Sequence, residues 1–208
     1  MDYGASGKSS VALLLGNGDG SFKPKIDLSA PAGSLFATDV NHDRKLDLLI
    51  TDPTGPGQTY VLLGNGDGTF RPATLVPYSI AYAADFNGDG FPDLLSYSGN
   101  PSCFFTIHLG NGDGTFQKSV GCGTFPGQGD FASNIAVADF NGDGKLDLAW
   151  ASVRQTNLIF LWLGNGDGTF QPVSTANTGD GSQGAKPIAV GDLNGDGKLD
   201  LAVGRPAA

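Results

Sequence analysis

The stretch Asp139-Phe-Asn-Gly-Asp-Gly-Lys-Leu-Asp147 decides the fold of this chain. Its pattern, D-x-N-x-D-G-x-x-D, returns at Asp85–Asp93 and Asp192–Asp200 and, in a weaker form, at Asp39–Asp47. Calcium prefers six to eight oxygen ligands at about 2.3–2.6 Å. This pattern offers side-chain oxygens at positions 1, 3, 5 and 9 and a backbone carbonyl at position 7. Glycine at position 6 permits the sharp turn that wraps a loop around an ion.

The four loops together predict three or four bound Ca²⁺ ions per chain. The predicted ligands are Asp39, Asn41, Asp43, Lys45 and Asp47; Asp85, Asn87, Asp89, Phe91 and Asp93; Asp139, Asn141, Asp143, Lys145 and Asp147; and Asp192, Asn194, Asp196, Lys198 and Asp200, with Lys and Phe contributing backbone carbonyls only. One such loop would be equally compatible with an ordinary Asp/Asn/Gly turn, but four copies favour metal. The glutamate that closes an EF-hand loop at position 12 is absent, because the chain has no Glu. We therefore expect calcium loops between strands, not between helices.

The first loop departs from the pattern at two positions. His42 stands at position 4 and Arg44 at position 6, where the other loops have glycine. A non-glycine residue in a left-handed turn costs on the order of 1 kcal/mol. We expect this loop to bind calcium most weakly.

The acidic residues are concentrated in repeated motifs. The 208-residue chain has a net charge of −9 and 21 acidic residues, all of them Asp, of which twelve lie in the four loops. Four bound Ca²⁺ ions would take the net charge from −9 to −1. The acidity is thus better explained by metal sites than by a solvating surface, and it excludes nucleic acid as an expected partner. No apolar run is long enough to span a membrane.

A second motif, L-G-N-G-D-G-[S/T]-F, alternates with the loops. It occupies Leu15–Phe22, Leu63–Phe70, Leu109–Phe116 and Leu163–Phe170, in steps of 48, 46 and 54 residues, while the loops step by 46, 54 and 53. A shared period indicates one repeated unit, and Asn-Gly and Asp-Gly between apolar residues predict a hairpin turn. The Asp of this motif could also be a metal ligand, but the turn interpretation needs no ion.

Each unit is predicted to contain four strands, called A to D. In the third unit, strand A lies around Ile135–Asp139, strand B at Leu146–Ser152, strand C at Leu158–Leu163 and strand D from Phe170 to about Thr175. Four antiparallel strands per 40–50 residues are typical of a β-propeller blade. The sequence therefore predicts an all-β propeller, and Trp150 and Trp162, in apolar strands, are predicted to lie in its core.

The loops and their flanking strands closely resemble the FG-GAP/VCBS-type repeats of integrin α-subunit propellers and of related bacterial proteins and fungal lectins. The stretches that carry the resemblance are ATDVNHDRKLDLLI (37–50), AADFNGDGFPDLLS (83–96), VADFNGDGKLDLAW (137–150) and VGDLNGDGKLDLAV (190–203). The resemblance implies calcium in the loop between strands A and B. It also implies a non-enzymatic binding or adhesion module, secreted or at the cell surface.

The order of the motifs predicts one blade that is split between the two ends. We expect a single propeller domain over 1–208, with strands C and D of the split blade in 1–30, three blades in 31–78, 79–130 and 131–182, and strands A and B of the split blade in 183–208. The chain could close as a four-bladed ring, pair with a second copy into an eight-bladed homodimer, or form part of a larger propeller. The sequence favours closure within or between copies of this chain.

Two cysteines flank the third L-G-N-G-D-G turn. Cys103 and Cys122 each lie eight residues from the turn Asn111–Gly114, so a regular hairpin would place them opposite each other, and we expect a disulfide between them. A bulge in either strand would change this register. The bond would indicate an oxidising compartment.

The connections between strands B and C and between strands D and A differ from unit to unit, and we expect a protein or glycan ligand on this variable face. The candidate ligand-binding residues there are Tyr78, Tyr97, Phe125, Phe131 and Arg154. The two histidines, His42 and His108, are interpreted as a loop residue and a strand residue. No nucleophile motif such as G-x-S-x-G is present, so we expect no enzymatic activity. The remaining alternative, a hydrolase or lyase on the same scaffold, would need a cluster of acid, base or nucleophile on the variable face, and the sequence shows none.

Overall fold

The chain forms a series of antiparallel sheets. A computed structural model describes residues 10–52, 57–100, 103–117, 120–123, 135–151, 158–171, 174–177 and 186–204, with the backbone alone described at 98–100, 121–123 and 186–188. The strands are β1 (Ser10–Leu13), β2 (Ile26–Pro31), β3 (Leu35–Thr38), β4 (Asp47–Thr51), β5 (Thr59–Leu62), β6 (Thr74–Val76), β7 (Ile80–Ala84), β8 (Asp93–Asn100), β9 (Cys103–His108), β10 (Gly121–Gly123), β11 (Ile135–Ala138), β12 (Asp147–Ala151), β13 (Leu158–Trp162), β14 (Ser174–Asn177), β15 (Lys186–Gly191) and β16 (Asp200–Gly204). The described residues contain no helix.

Three four-stranded sheets stand between two hairpins. Strands β3 to β6, β7 to β10 and β11 to β14 each form one antiparallel sheet in chain order, while β1 pairs with β2 and β15 with β16. Neighbouring sheets touch through β2 and β4, through β3 and β7, and through β15 with β11 and β12. The predicted all-β class with four-stranded antiparallel units is confirmed.

The outermost strand of each unit begins later than the sequence predicted. In the third unit, strand D was expected from Phe170, but β14 begins at Ser174, and Phe170 makes only an isolated bridge to Gly164. The first complete unit behaves alike, since β6 begins at Thr74, two residues after Pro72. Proline has no N–H to donate to a ladder, so pairing resumes only beyond it.

The central strands of each sheet are its most buried part. Every residue of β5 and of β12 is buried, whereas every residue of the outer strand β14 is exposed. Trp150 and Trp162 are almost fully buried and pack against Phe105 and Phe160 in the largest apolar cluster. The predicted core position of both tryptophans is confirmed.

In the three complete units, the first glycine of the L-G-N-G-D-G turn lies against a backbone carbonyl just before strand B. A Cβ on Gly164 would lie 2.2 Å from the Leu146 carbonyl oxygen, and one on Gly64 would lie 2.2 Å from that of Leu46. No real Cβ tolerates such a contact with backbone. Glycine is thus required here by close approach of strands B and C.

The predicted register of the two cysteines is wrong. Cys122 pairs with Thr106, not with Cys103. The turn contains five residues, since Gly110 bridges Phe116, and two extra residues follow before Gly121, which pairs with Ile107. The pairing register of strand D therefore differs by two residues between Phe116 and Gly121. The disulfide itself stays a prediction.

We predict that Gly164→Ala destabilises the fold by about 1–3 kcal/mol, because the new methyl group would collide with the Leu146 carbonyl oxygen. Urea unfolding followed by tryptophan fluorescence measures the change. Gly191→Ala is the matched control, since its Cβ would meet only a side-chain atom at 3.9 Å. Equal unfolding midpoints for the two variants would contradict the prediction.

Candidate functional site

The first aspartate of each loop between strands A and B collects backbone N–H groups. Asp139 Oδ1 accepts hydrogen bonds from the N–H groups of Gly142 and Asp143, at 2.7 and 3.1 Å, and Oδ2 accepts one from Gly144 at 2.7 Å. Asp192 makes the same three bonds in the last loop. These donors, the Gly144 N–H foremost, hold the pKa of Asp139 below its usual value. The carboxylate therefore stays ionised at neutral pH.

The glycines of the loops have the left-handed conformation that the sequence predicted. Gly142 and Gly144 have φ of 75° and 82°. In the first loop, His42 and Arg44 adopt the same conformation without being glycine, at φ of 57° and 66°. The His42 ring packs edge-on against Phe91 of the next loop, with ring centroids 5.0 Å apart. This contact helps to hold the strained loop, whose weaker calcium binding stays a prediction.

The ninth residue of the first three loops is a buried carboxylate that joins two turns. Asp147 Oδ2 accepts a hydrogen bond from the Phe140 N–H of its own loop at 2.9 Å, and Oδ1 accepts one from the Gly164 N–H of the next turn at 2.8 Å. Asp47 and Asp93 make the equivalent pairs of bonds, and all three side chains are no more than 1 % exposed. These aspartates fix the loop between strands A and B against the turn between strands C and D.

Burial acts against ionisation at one of these aspartates. It raises the pKa of Asp93 to about 6, although the N–H groups of Gly110 and Phe86 lower it, and the nearby carboxylates of Asp89 and Asp85 raise it further. The ionised form of Asp93 is therefore stabilised mainly by its two backbone hydrogen bonds. A cation bound in the loop would favour the same ionised form.

The side chains at position 7 have a role that the sequence did not reveal. Lys145 runs over the second glycine of the neighbouring turn, so a Cβ on Gly166 would lie 3.1 Å from its Cδ, and Phe91 covers Gly112 in the same way. Lys145 Nζ lies 3.9 Å from an oxygen of Asp143. The two turns of each unit thus pack against each other through side chains as well as through the buried aspartate.

The donor chemistry of the loops fits calcium, but their carboxylates do not converge on one point. The described loops present carboxylate and amide oxygens, the hard ligands that calcium prefers. No group of three or more acidic, His or Cys side chains among the described residues is close enough to hold a metal ion. Several loop oxygens face backbone N–H groups instead, as Asn141 Oδ1 does toward Asp143 N at 2.9 Å. A cation would have to draw these oxygens together.

The aspartates of the L-G-N-G-D-G turns serve the turn itself. Asp113 Oδ1 accepts the Thr115 N–H at 2.9 Å and the Thr115 hydroxyl at 2.6 Å. These bonds, the hydroxyl first, lower the pKa of Asp113, and the same pair of bonds lowers the pKa of Asp67 and Asp167. The turn interpretation thus accounts for these carboxylates without an ion.

Only part of the predicted ligand face lies in the described residues. Phe125, Phe131 and Arg154 lie outside them. Tyr97 is packed edge-on against Phe104, with ring centroids 5.9 Å apart, and burial raises its pKa to about 12. Tyr97 is therefore oriented as a core residue more than as a surface contact.

Tyr78 instead borders a cavity between the first and second complete sheets. The cavity has a volume of about 550 Å³ and is lined by residues 74–78, His108 and residues 114–117. The Tyr78 and His108 rings stack 3.6 Å apart, and His108 Nε2 is bonded to the Ser96 hydroxyl at 2.8 Å. His108 Nδ1 is buried without a hydrogen-bond partner among the described residues, and burial lowers the pKa of the ring. Sequence reasoning missed His108, because a lone histidine on a strand carries no signal.

The repeated loops and sheets agree with a comparison to known families. A model of the FG-GAP-like repeat matches residues 39–96, 85–150 and 139–203. The chain belongs to the FG-GAP-like repeat family. Its three matches begin at the first aspartate of one loop and run to strand B of the next unit, so the family's repeat contains the loops and sheets described above. No curated protein matches the chain, and no described helix is long and apolar enough to cross a membrane.

We predict that Asp147→Asn destabilises this FG-GAP-like chain by about 1–3 kcal/mol in calcium-free buffer. The amide has one acceptor in place of two, so one buried N–H, of Phe140 or of Gly164, loses its partner. Chemical denaturation measures the change. Asp167→Asn is the control, because a single oxygen of Asp167 accepts both of its bonds and an amide oxygen can replace it. A smaller effect at Asp147 than at Asp167 would refute the prediction.

We also predict that Thr169→Val raises the pKa of Asp167, because the Thr169 hydroxyl is the main cause of its lowered value. A carboxyl with a lowered pKa in the folded state stabilises the fold above its unfolded pKa, near 3.9, and that contribution is lost as the pH falls through the folded value. The variant should therefore lose less stability on acidification. Carboxyl NMR titration tests the pKa, with Thr175→Val on exposed β14 as control, and an unchanged Asp167 pKa would contradict the assignment.

Proposed function

We propose that this protein is a calcium-stabilised, extracellular β-propeller module that binds a protein or glycan ligand and catalyses no reaction. The observation that carries the proposal is the repetition of one oxygen-rich loop at the same place in four units. Each loop follows strand A or its equivalent and keeps its first aspartate bonded to backbone N–H groups. Calcium would neutralise these carboxylates and stabilise the folded state by binding to it alone.

A structural role for calcium is supported by the position of the loops. Each complete unit joins its loop to the neighbouring turn through a buried aspartate, as Asp93 joins Phe86 and Gly110. This end of each sheet is nearly identical from unit to unit, whereas the connections at the other end differ. Ligand binding is therefore proposed at the variable connections, and calcium at the repeated ones.

Glycan binding between sheets is a second candidate, and the cavity beside Tyr78 favours it. An aromatic ring stacked on His108 gives the cavity an apolar wall, and Thr115 and Gln117 add polar side chains to its lining. Sugars bind where aromatic faces and a few polar groups occur together. If this cavity binds a glycan, the protein is a lectin. The other partner that we propose is a second copy of the chain, completing an eight-bladed ring.

Chelation should destabilise the protein if calcium has this role. We predict that excess EGTA lowers the melting temperature and that added Ca²⁺ restores it, with about 2.7 kcal/mol gained per site at a free concentration a hundredfold above Kd. Calorimetric titration should find three or four ions per chain, and Arg44→Gly should tighten the first site by removing the left-handed strain at φ of 66°.

The control variant is Asp27→Asn, whose carboxylate is exposed outside every loop and pairs with Lys25. It should bind calcium as the unaltered protein does. Identical melting curves in calcium and in EGTA would refute the structural role. The ligand class is tested separately with a glycan array in calcium: binding that is lost in Tyr78→Ala supports the lectin form, and no glycan binding favours a protein ligand.

A further inference from the structure

A second cavity lies beside the first loop between strands A and B. It has a volume of about 510 Å³, which is within the usual range for small-molecule sites. Its walls come from strands β1, β3 and β4, from the first loop and from the turn at residues 64–70. The cavity therefore lies at the repeated end of the sheet, away from the variable connections.

The walls of this cavity are mainly apolar. The large apolar side chains of its lining are those of Leu13, Leu15, Leu46, Leu48 and Phe70. None of these five side chains is fully buried. A ligand in the cavity would therefore remove apolar surface from water, which favours its binding.

Two cations stand among these apolar walls. Arg44 and Lys45 both line the cavity, although the chain has a net charge of −9 from 12 basic and 21 acidic residues. At the same two positions the other loops have glycine followed by phenylalanine or lysine. The first loop therefore differs from its three copies by placing adjacent positive charges at an apolar cavity.

The Arg44 side chain has no partner in the described structure. Its backbone N–H donates to Asp39 Oδ2 at 2.7 Å, but no described carboxylate forms an ion pair with its guanidinium. Lys45 Nζ, by contrast, lies 3.8 Å from an oxygen of Asp43. Arg44 is thus the cation that is available to a ligand.

The acidic residue of the cavity lining does not offer Arg44 a partner either. Asp47 is 1 % exposed, and its two oxygens accept the N–H groups of Val40 and Gly64. Its charge is therefore stabilised by backbone amides, whereas the Arg44 side chain is exposed.

Arg44 occupies its position at a conformational cost. Its φ of 66° is left-handed, and a residue other than glycine costs on the order of 1 kcal/mol in this conformation. Glycine occupies the equivalent position in the other three loops. Strained residues of this kind are concentrated at functional sites. A ligand that needs the guanidinium would account for an arginine at this position.

We propose that this cavity binds a small amphipathic anion, whose acidic group pairs with Arg44 and whose apolar body lies against the leucines and Phe70. The planar guanidinium offers parallel N–H groups that match the oxygens of a carboxylate, sulfonate or phosphate. Lys45 adds a second positive charge at the same wall. The inference goes beyond the proposed function, because neither the structural calcium nor the ligand of the variable connections uses this cavity.

A free molecule fits this site better than an anionic membrane surface. The cavity has a limited volume, and the carboxylates of Asp39, Asp43 and Asp67 belong to the loop and turn that form it. These charges repel an extended anionic surface. A single small anion, in contrast, needs only the guanidinium and the apolar walls.

The dye anilinonaphthalenesulfonate (ANS) tests the site, because it carries one sulfonate on an apolar aromatic body and fluoresces on leaving water. We expect titration of the calcium-loaded protein to saturate at one dye per chain. Arg44→Gln should weaken binding by about tenfold or more, because it removes a charge-assisted hydrogen bond. Arg44→Lys keeps the charge and should lose less.

Arg71→Gln is the matched control. It removes the same charge from an exposed arginine of the same unit that does not line the cavity, and it should bind ANS as the unaltered protein does. Phenylnaphthylamine, which has the same rings without the sulfonate, is the second probe. It should bind more weakly than ANS and equally to Arg44→Gln and to the unaltered protein.

Equal ANS affinities for Arg44→Gln and Arg71→Gln would overturn the proposal, and so would equal affinities of the unaltered protein for the two dyes. Cosedimentation with phosphatidylglycerol vesicles that is lost in Arg44→Gln would overturn the assignment to a free molecule. Chelation, calcium titration and the glycan array do not involve this cavity. A failure here is therefore distinct from a failure of the proposed function.

Discussion

A buried carboxylate organises each complete unit of this protein. Asp47, Asp93 and Asp147 are almost completely buried, and each holds one backbone N–H of its own loop and one of the neighbouring turn. A buried ionised group is costly unless its hydrogen bonds are complete. The loop between strands A and B and the turn between strands C and D must therefore lie in one relative position. This position also fixes the strands that follow them. Glycine at the head of the turn follows from the same constraint, because only a residue without Cβ fits against the strand B carbonyl.

Most of this architecture was predictable, because it is repeated. The alternation of two motifs with one period predicted four strands per unit, and the sheets from β3 to β14 confirm it. Errors arose where one unit departs from the others. The pairing register changes by two residues between Phe116 and Gly121, which places Cys122 opposite Thr106, and no residue type in that segment predicts the change. The sequence predicted strand D to begin at Phe170 because this apolar residue continues the alternating pattern. Phe170 makes only an isolated bridge, and in the first complete unit Pro72 interrupts the pairing, so that β6 begins at Thr74.

The site was predictable in composition but not in geometry. Spacing alone identified the oxygen-bearing residues, yet it could not show that the ninth aspartate points into the structure toward two backbone N–H groups. It also could not show that Lys145 and Phe91 cover turn glycines with their side chains. The cavity beside Tyr78 was less predictable still, because Tyr78 and His108 are 30 residues apart and meet only through the packing of two sheets.

The buried aspartate takes part in the loop, in the turn and in the pairing of the strands. It belongs to the oxygen-rich loop, it holds the turn between strands C and D, and through that turn it fixes strand B against strand C. A unit is complete only when loop and turn are both present, whichever part of a chain supplies them. Asp200 has the loop but lacks the turn within the described residues, and Gly16 has the turn but lacks the loop.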